Sequence, residues 1–246
     1  MQQRAVLITG AARRIGAAIA RTLHGAGMDV VLHYRRSREA AEALAAELER
    51  TRAGSTRVLQ GDLLDVERLR ALVEEAAGAF GGLDALVNNA SSFHATPFGR
   101  IAPGDWEDLM GSNLRAPLFL AQAAAPHLAA RRGAIVNIVD IHAERPLRDY
   151  LVYSIAKSGL AGLTRALAVE LAPAVRVNGV SPGAILWPDG GADFDPEERE
   201  RIVAQTLLAA TGQPEDLAGA VKYLLCDAPF VTGQIIAVDG GRSLHI

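Results

Sequence analysis

Tyr153 and Lys157 stand four residues apart in the run YSIAK, a spacing that puts both on one face of a helix. A phenol beside an ammonium is a proton-delivery pair. The positive charge stabilises phenolate, so a lowered Tyr153 pKa and a better donor to a substrate undergoing reduction are expected. Thirteen residues before Tyr153, Asp140 follows the apolar run AIVNIV. If that run is a parallel strand, Asp140 stands at its carboxyl end, where ligands bind in open sheets. Lysine is also scarce. Of 25 basic residues only Lys157 and Lys222 are lysines, the rest being arginine. That scarcity gives weight to Lys157, because a planar fork does not easily replace a compact ammonium.

A second group suits an anion. The run Thr9-Gly10-Ala11-Ala12-Arg13-Arg14-Ile15-Gly16 links a strand-like AVLIT to a helix-like segment. Glycines there permit positive φ and close approach of the backbone to a pyrophosphate, which a helix N-terminus attracts. A plain strand–helix turn is the alternative. The next strand ends His33-Tyr34-Arg35-Arg36-Ser37, with no carboxylate to take a ribose 2′-hydroxyl. Arginine forks match a 2′-phosphate in charge and shape, Ser37 adds a donor, and Arg13 adds charge. NADPH is therefore expected over NADH. A solvated basic corner is the competing view.

The elements that must position these groups alternate along the chain. Apolar runs at 5–9, 29–34, 56–60, 83–89, 134–139, 175–180 and 234–239 are continuous, as in strands covered on both faces. Helix formers fill 15–26, 38–50, 65–79, 115–131, 154–171 and 215–225. Asp195-Pro196-Glu197-Glu198 and Gln213-Pro214-Glu215-Asp216 read as helix starts. The expectation is a single-domain, Rossmann-type, doubly wound α/β fold over residues 1–246, with seven mainly parallel strands. The Gly-, Pro- and Asp-rich stretch 182–196 reads as a mobile substrate loop, with 182–210 as the broader substrate region.

Composition removes other classes. The formal net charge of −3 favours neither nucleic acid nor an anionic membrane. One cysteine, Cys226, excludes an internal disulfide framework and suits a cytoplasmic, reducing compartment. No apolar run approaches the roughly 18 residues of a membrane span, and no signal-peptide stretch precedes AVLITG. Six histidines lack metal-ligand spacing, so no metal is expected.

Taken in order, TGAARRIG, Asp62 in GDL, Asn88-Asn89-Ala90, Asn113, YSIAK, Pro182-Gly183 and VTGQIIAVDGG resemble the short-chain dehydrogenase/reductase family from end to end. Three positions depart from its general pattern: Arg14 for the middle glycine, Asp140 for the catalytic serine, and Ser91 for the glycine after NNA. These departures occur together in the pteridine reductase subgroup, which TGAARRIG, HYRRS, NNASSF and the VD before the Tyr–Lys helix resemble.

The resemblance implies NADPH-dependent reduction of a dihydropterin or dihydrofolate to its tetrahydro form. The catalytic set would be Asp140, Tyr153, Lys157 and Asn113, the last holding its helix and a water chain to Lys157. The cofactor would lie on Gly10, Arg13, Arg14, Ile15 and Gly16, then on His33, Tyr34, Arg35, Arg36 and Ser37. Asp62, Leu63, Asn89, Ala90, Ser91, Pro182 and Gly183 would complete its site, with Tyr153 and Lys157 on the nicotinamide ribose. Phe93 would stack on the pterin, and Arg14, Ser91, Asp140 and Tyr153 would bind it. A flat polar heterocycle suits such a slot. Asp140, if held protonated by burial, can itself donate. A carbonyl reductase acting on a 3-oxoacyl thioester or other ketone is the alternative; a noncatalytic NADPH sensor is the remote one, since a sensor has no need of Asn113, Tyr153 and Lys157. A homotetramer is implied as well. His94, His142, Trp187 and Tyr150 are lesser candidates for the pocket wall, and Cys226 for the core.

Overall fold

A computed structural model describes residues 4–187 and 195–245. Seven strands form one sheet: β1 (Ala5–Ile8), β2 (Asp29–Tyr34), β3 (Thr56–Gln60), β4 (Ala85–Asn88), β5 (Ala134–Ile138), β6 (Arg176–Pro182) and β7 (Ile235–Val238). Their spatial order is β3-β2-β1-β4-β5-β6-β7, and every pairing is parallel. Helices α1 (Arg14–Gly25), α2 (Arg38–Glu49), α3 (Val66–Ala79), α4 (Pro103–Met110), α5 (Ala116–Arg131), α6 (Leu151–Leu171), α7 (Pro196–Ala204) and α8 (Pro214–Lys222) surround it. This is the doubly wound, Rossmann-type arrangement.

Strand β1 shows why its run is apolar throughout. Val6 and Ile8 pack toward one face with Ile19 and Leu23 of α1 and Leu217 and Val221 of α8. Leu7, pointing the other way, packs with Val73 of α3 and Leu120 of α5. Successive side chains of a strand leave opposite faces, so both neighbours must be hydrophobic. Edge strand β3 keeps only Leu59 buried.

Helix α6 is the element that must carry the phenol and ammonium. A buried polar ladder docks it: Asn88 Nδ2 donates to Asn137 Oδ1 at 2.8 Å, and Asn137 Nδ2 donates to Thr164 Oγ1 at 2.9 Å. Because a buried amide is costly without partners, this ladder specifies how α6 sits on β4 and β5.

Two helices differ from the sequence expectation. Helix α4 was not foreseen, since PGDWEDLM is short and poor in Ala and Leu. A π-turn over Gly111–Arg115 joins it to α5, so the helix expected from 115 starts inside a longer helical run. Asp195 caps α7 as expected, its Oδ1 accepting from Glu198 N at 2.8 Å. Within the expected substrate loop, residues 188–194 lie outside the described residues.

Candidate active site

Strand β1 pairs with β2 on one side and β4 on the other, so crossovers leave its carboxyl end in opposite directions and open a cleft there. The turn from β1 to α1 is stitched to the end of β4. Thr9 Oγ1 accepts from Asn89 N at 2.9 Å and Ala90 N at 3.0 Å, while Asn89 Nδ2 donates to Thr9 O at 2.9 Å and Gly10 O at 3.1 Å. Glycine is required twice. Gly10 has φ +63°, and a Cβ on Gly16 would lie 2.2 Å from Gly10 O. Arg14 holds φ 55° without being glycine. The N-cap residue of α1, Arg13, makes no side-chain capping hydrogen bond among the described residues. Uncapped helix amides at a strand's carboxyl end suit an anion.

A cavity of about 370 Å³ lies over this turn, walled by Gly10, Ile15, Leu63 and Ala90 among others. Arg13, Tyr34, Arg35, Arg36 and Ser37 surround an adjoining space of about 250 Å³. The basic corner therefore exists as a corner. Within it Arg35 is engaged with Asp62, through Nε at 2.9 Å and Nη2 at 2.8 Å. His33 lies beneath, its Nδ1 accepting from Gly10 N at 3.2 Å and its Nε2 facing Gly61 O at 3.2 Å. Burial pulls its pKa to about 4, so it is neutral and braces the turn.

The second cavity, about 400 Å³, gathers Arg14, Ser91, Phe93, Asp140, Tyr153 and Lys157. Tyr153 Oη donates to Asp140 Oδ2 at 2.7 Å, and Asp140 Oδ1 accepts from His142 N at 2.8 Å. Asp140 is half-buried, and both of its carboxylate oxygens are engaged by these contacts. Lys157 is buried and donates Nζ to Ile138 O at 2.9 Å, with Nζ 5.6 Å from the Tyr153 ring centre.

The expected lowering of the Tyr153 pKa is overturned. Burial, followed by the Asp140 charge and its hydrogen bond, raises it well above the ordinary tyrosine value. Desolvation outweighs an ammonium whose hydrogen bond goes to the Ile138 carbonyl. The same burial lowers Lys157 to about 8, against the opposing pull of Asp140.

Asn113 lies in the π-turn and holds the Ser91–Ser92 segment. Its Oδ1 accepts from Ser91 Oγ at 2.6 Å, and its Nδ2 donates to Ser92 O at 2.9 Å and Leu109 O at 3.0 Å. Its side-chain amide is thus engaged by Ser91, Ser92 and Leu109. Phe93 stacks on Tyr150 at 4.5 Å and meets the Tyr153 ring edgewise at 4.8 Å. Tyr150 precedes the first residue of α6, so it reaches Phe93 from the helix entrance instead of sharing the Lys157 face.

On the far wall, Arg14 Nη2 donates to Leu186 O at 3.3 Å and Trp187 O at 2.9 Å, tying the nucleotide-side turn to the loop after β6. Gly183 is needed where that loop starts, since a Cβ would lie 2.7 Å from Asp239 Cα. His142 and Trp187 line the cavity, whereas His94 turns to Asp105 and Asp108. Cys226 is a free thiol packed against the core. Sequence reasoning missed Leu147 and Arg242, both on the cavity wall. No signal in the sequence marked either one. Among the described residues there is no cluster of three or more metal-ligating side chains, and no helix is long and apolar enough to cross a membrane.

Comparison with known proteins agrees with this geometry. Residues 10–243 match the family model described as Enoyl-(Acyl carrier protein) reductase. The chain is 39% identical to pteridine reductase 1 of Leishmania tarentolae, over 97% of this chain and 96% of that protein. It is 35% identical to the 3-oxoacyl-[acyl-carrier-protein] reductase FabG of Staphylococcus aureus, over 97% of each. A crystal structure of a blue fluorescent protein from a metagenomic library, in complex with NADPH, matches with a TM-score of 0.90 and 37% identity over 97% of each chain. With the Tyr153–Lys157 pair at the carboxyl edge of a doubly wound sheet, the chain belongs to the short-chain dehydrogenase/reductase family of oxidoreductases.

Proposed function

We propose that this oxidoreductase is an NADPH-dependent pterin reductase, converting a dihydropterin or dihydrofolate to its tetrahydro form. The observation that carries the reading is the Tyr153–Asp140 hydrogen bond beside the Phe93 ring, in the same cavity as Lys157. An aromatic wall with an acceptor and a proton donor at its edge suits a flat heterocycle with N–H groups. The similarity to pteridine reductase 1 over nearly the whole chain supports it.

The residues present fit the cofactor. The Gly10–Gly16 turn admits close approach of a pyrophosphate, and the uncapped α1 N-terminus favours its charge. Arg13, Arg36 and Ser37 would receive a 2′-phosphate, and Lys157 with Tyr153 would hold the nicotinamide ribose. The NADPH bound to a structural relative points the same way. Bound there, the reduced nicotinamide supplies a hydride to the carbon of the substrate's C=N bond.

This chain's part is the proton. Tyr153 Oη turns from Asp140 Oδ2 to the ring nitrogen and donates its hydrogen, so C=N becomes CH–NH. The raised Tyr153 pKa keeps that hydrogen in place until a base of sufficient strength forms. The Lys157 ammonium then offsets the phenolate charge, while Asp140 accepts from N–H groups of the ring. Ser91, held by Asn113, and Arg14 bind the same ring or the cofactor phosphates.

The test is loss of nicotinamide absorbance on adding dihydrofolate, dihydrobiopterin and dihydromonapterin separately, with a ketone panel alongside. Turnover of a dihydropterin is expected, with a large loss in Asp140→Ser. Turnover of ketones alone would refute the proposal and favour a carbonyl reductase, a reading that the FabG similarity supports. Tight NADPH binding without turnover of any panel member would point to a sensor. The single free cysteine and the exposed Leu118, Leu151, Ile155 and Val169 on α5 and α6 support a cytoplasmic homotetramer, which light scattering on the eluting protein would test.

A further inference from the structure

Arg242 opens a short 3₁₀ turn (Arg242–Leu244) beyond β7 and lines the cavity that holds Asp140 and Tyr153. Only 7% of the residue is exposed. The turn that presents it is tightly built. Asp239 accepts from Gly241 N at 2.9 Å and from Ser243 N at 2.8 Å, and Gly241 takes φ +82°. A Cβ on Gly241 would come within 2.8 Å of Leu207 Cδ1, so the loop behind α7 presses on this turn. Such a mount fixes the backbone that carries Arg242.

The guanidinium is nevertheless poorly served by the protein. Its Nε is buried with no hydrogen-bond partner among the described residues. The carboxylates that act on it electrostatically are Asp140, Asp239 and Glu198, with Arg201 opposing. All three are committed elsewhere. Asp140 takes Tyr153 Oη and His142 N, Asp239 takes two backbone amides, and Glu198 takes Arg201 Nη2 at 3.0 Å. Leaving a buried guanidinium short of hydrogen bonds is costly, and arginine stays charged at any working pH. Proton delivery makes no use of this charge. What the guanidinium matches is a planar oxyanion entering the cavity, on which a fork of N–H donors closes in two parallel bonds.

We propose that Arg242 is a substrate-binding residue that receives a carboxylate carried by the substrate, such as one on a dihydrofolate tail, so that the cavity favours carboxylate-bearing substrates over their neutral counterparts. The inference rests on the proposed function only in taking this cavity as the substrate site. Asp140 and Arg242 then divide the work: the carboxylate accepts from the substrate's donors, and the guanidinium donates to its anionic group.

The test uses benzoate and its neutral isostere benzamide as probes, titrated by calorimetry into the NADPH-saturated enzyme. Neither is a pterin, so the result stands whether or not dihydropterins are turned over. Wild-type enzyme is expected to bind benzoate about ten- to a hundredfold tighter than benzamide, in keeping with a charge-assisted hydrogen-bonded pair. Arg242→Gln should abolish that preference while leaving benzamide affinity within about twofold. Arg242→Lys, which keeps the charge and serves should the glutamine variant fold poorly, should retain part of it. Equal binding of the two probes by wild type, no benzoate binding at all, or a preference that survives in Arg242→Gln would overturn the proposal.

Discussion

Replacing Lys157 by methionine should make the cofactor-free protein more stable at neutral pH while destroying its activity. Lys157 is buried, and desolvation lowers its pKa from 10.5 to about 8. At about 1.4 kcal/mol per pH unit, that gap means the folded state carries a penalty of roughly 3 kcal/mol for keeping the ammonium charged at pH 7. Methionine removes the charge and fills a similar volume, but forfeits the hydrogen bond to Ile138 O, worth about 1 kcal/mol. The net gain is about 2 kcal/mol. Its pH dependence is the sharper part. Between about 8 and 10.5 the unfolded chain holds more protons than the folded one, so wild-type stability rises with pH through that window. The variant lacks this titration, and its advantage should therefore shrink by about 2 kcal/mol between pH 7 and pH 9.5. Urea unfolding followed by the fluorescence of Trp106 and Trp187, at one protein concentration and both pH values, measures it. A variant no more stable than wild type at pH 7, with a difference that does not change by pH 9.5, would refute the reasoning.

Three further outcomes are expected. Gly16→Ala places a Cβ 2.2 Å from Gly10 O, a backbone atom that cannot easily yield, so NADPH affinity should fall at least about tenfold and stability by about 1–3 kcal/mol, read by titration and thermal unfolding. Arg36→Ala should raise the KM for NADPH about tenfold or more while leaving NADH nearly unchanged, because only the former carries a 2′-phosphate for the corner to hold. Asp140→Asn removes a charge that raises the Tyr153 pKa. The alkaline limb of the pH–rate profile, where Tyr153 loses its proton, should therefore move to lower pH.

The sheet was legible because short, largely apolar stretches such as AIVNI recur between helix-forming segments, as strands between two helix layers require. Tyr153 and Lys157 were legible for a local reason, since helical spacing alone brings them together. Their electrostatics were not. The sign of the Tyr153 shift depends on burial contributed by Phe93 and Tyr150 and on a hydrogen bond to Asp140, all set by tertiary packing. Asn113 illustrates the same gap. Its position was readable, but the π-turn that aims its amide at Ser91 and Ser92 leaves no mark in GSNLR. Arg242 was hidden altogether, because only the pairing of β7 with β6 and the Asp239 turn bring it to the cavity wall that Asp140 shares.

The seam between β1 and β4 has a kinetic consequence. On one side lies β1-β2-β3, made from the first quarter of the chain; on the other lies β4-β5-β6-β7. Contacts within the first group span short stretches of sequence, while joining the groups requires loop closures of far greater length. The cleft opens at that junction, with Arg14 on one side and Asp140 and Arg242 on the other. A refolding chain can thus regain much of its helix and strand content before it holds any ligand. Catalytic recovery should lag behind the return of circular dichroism, and it reports when the two half-sheets have joined.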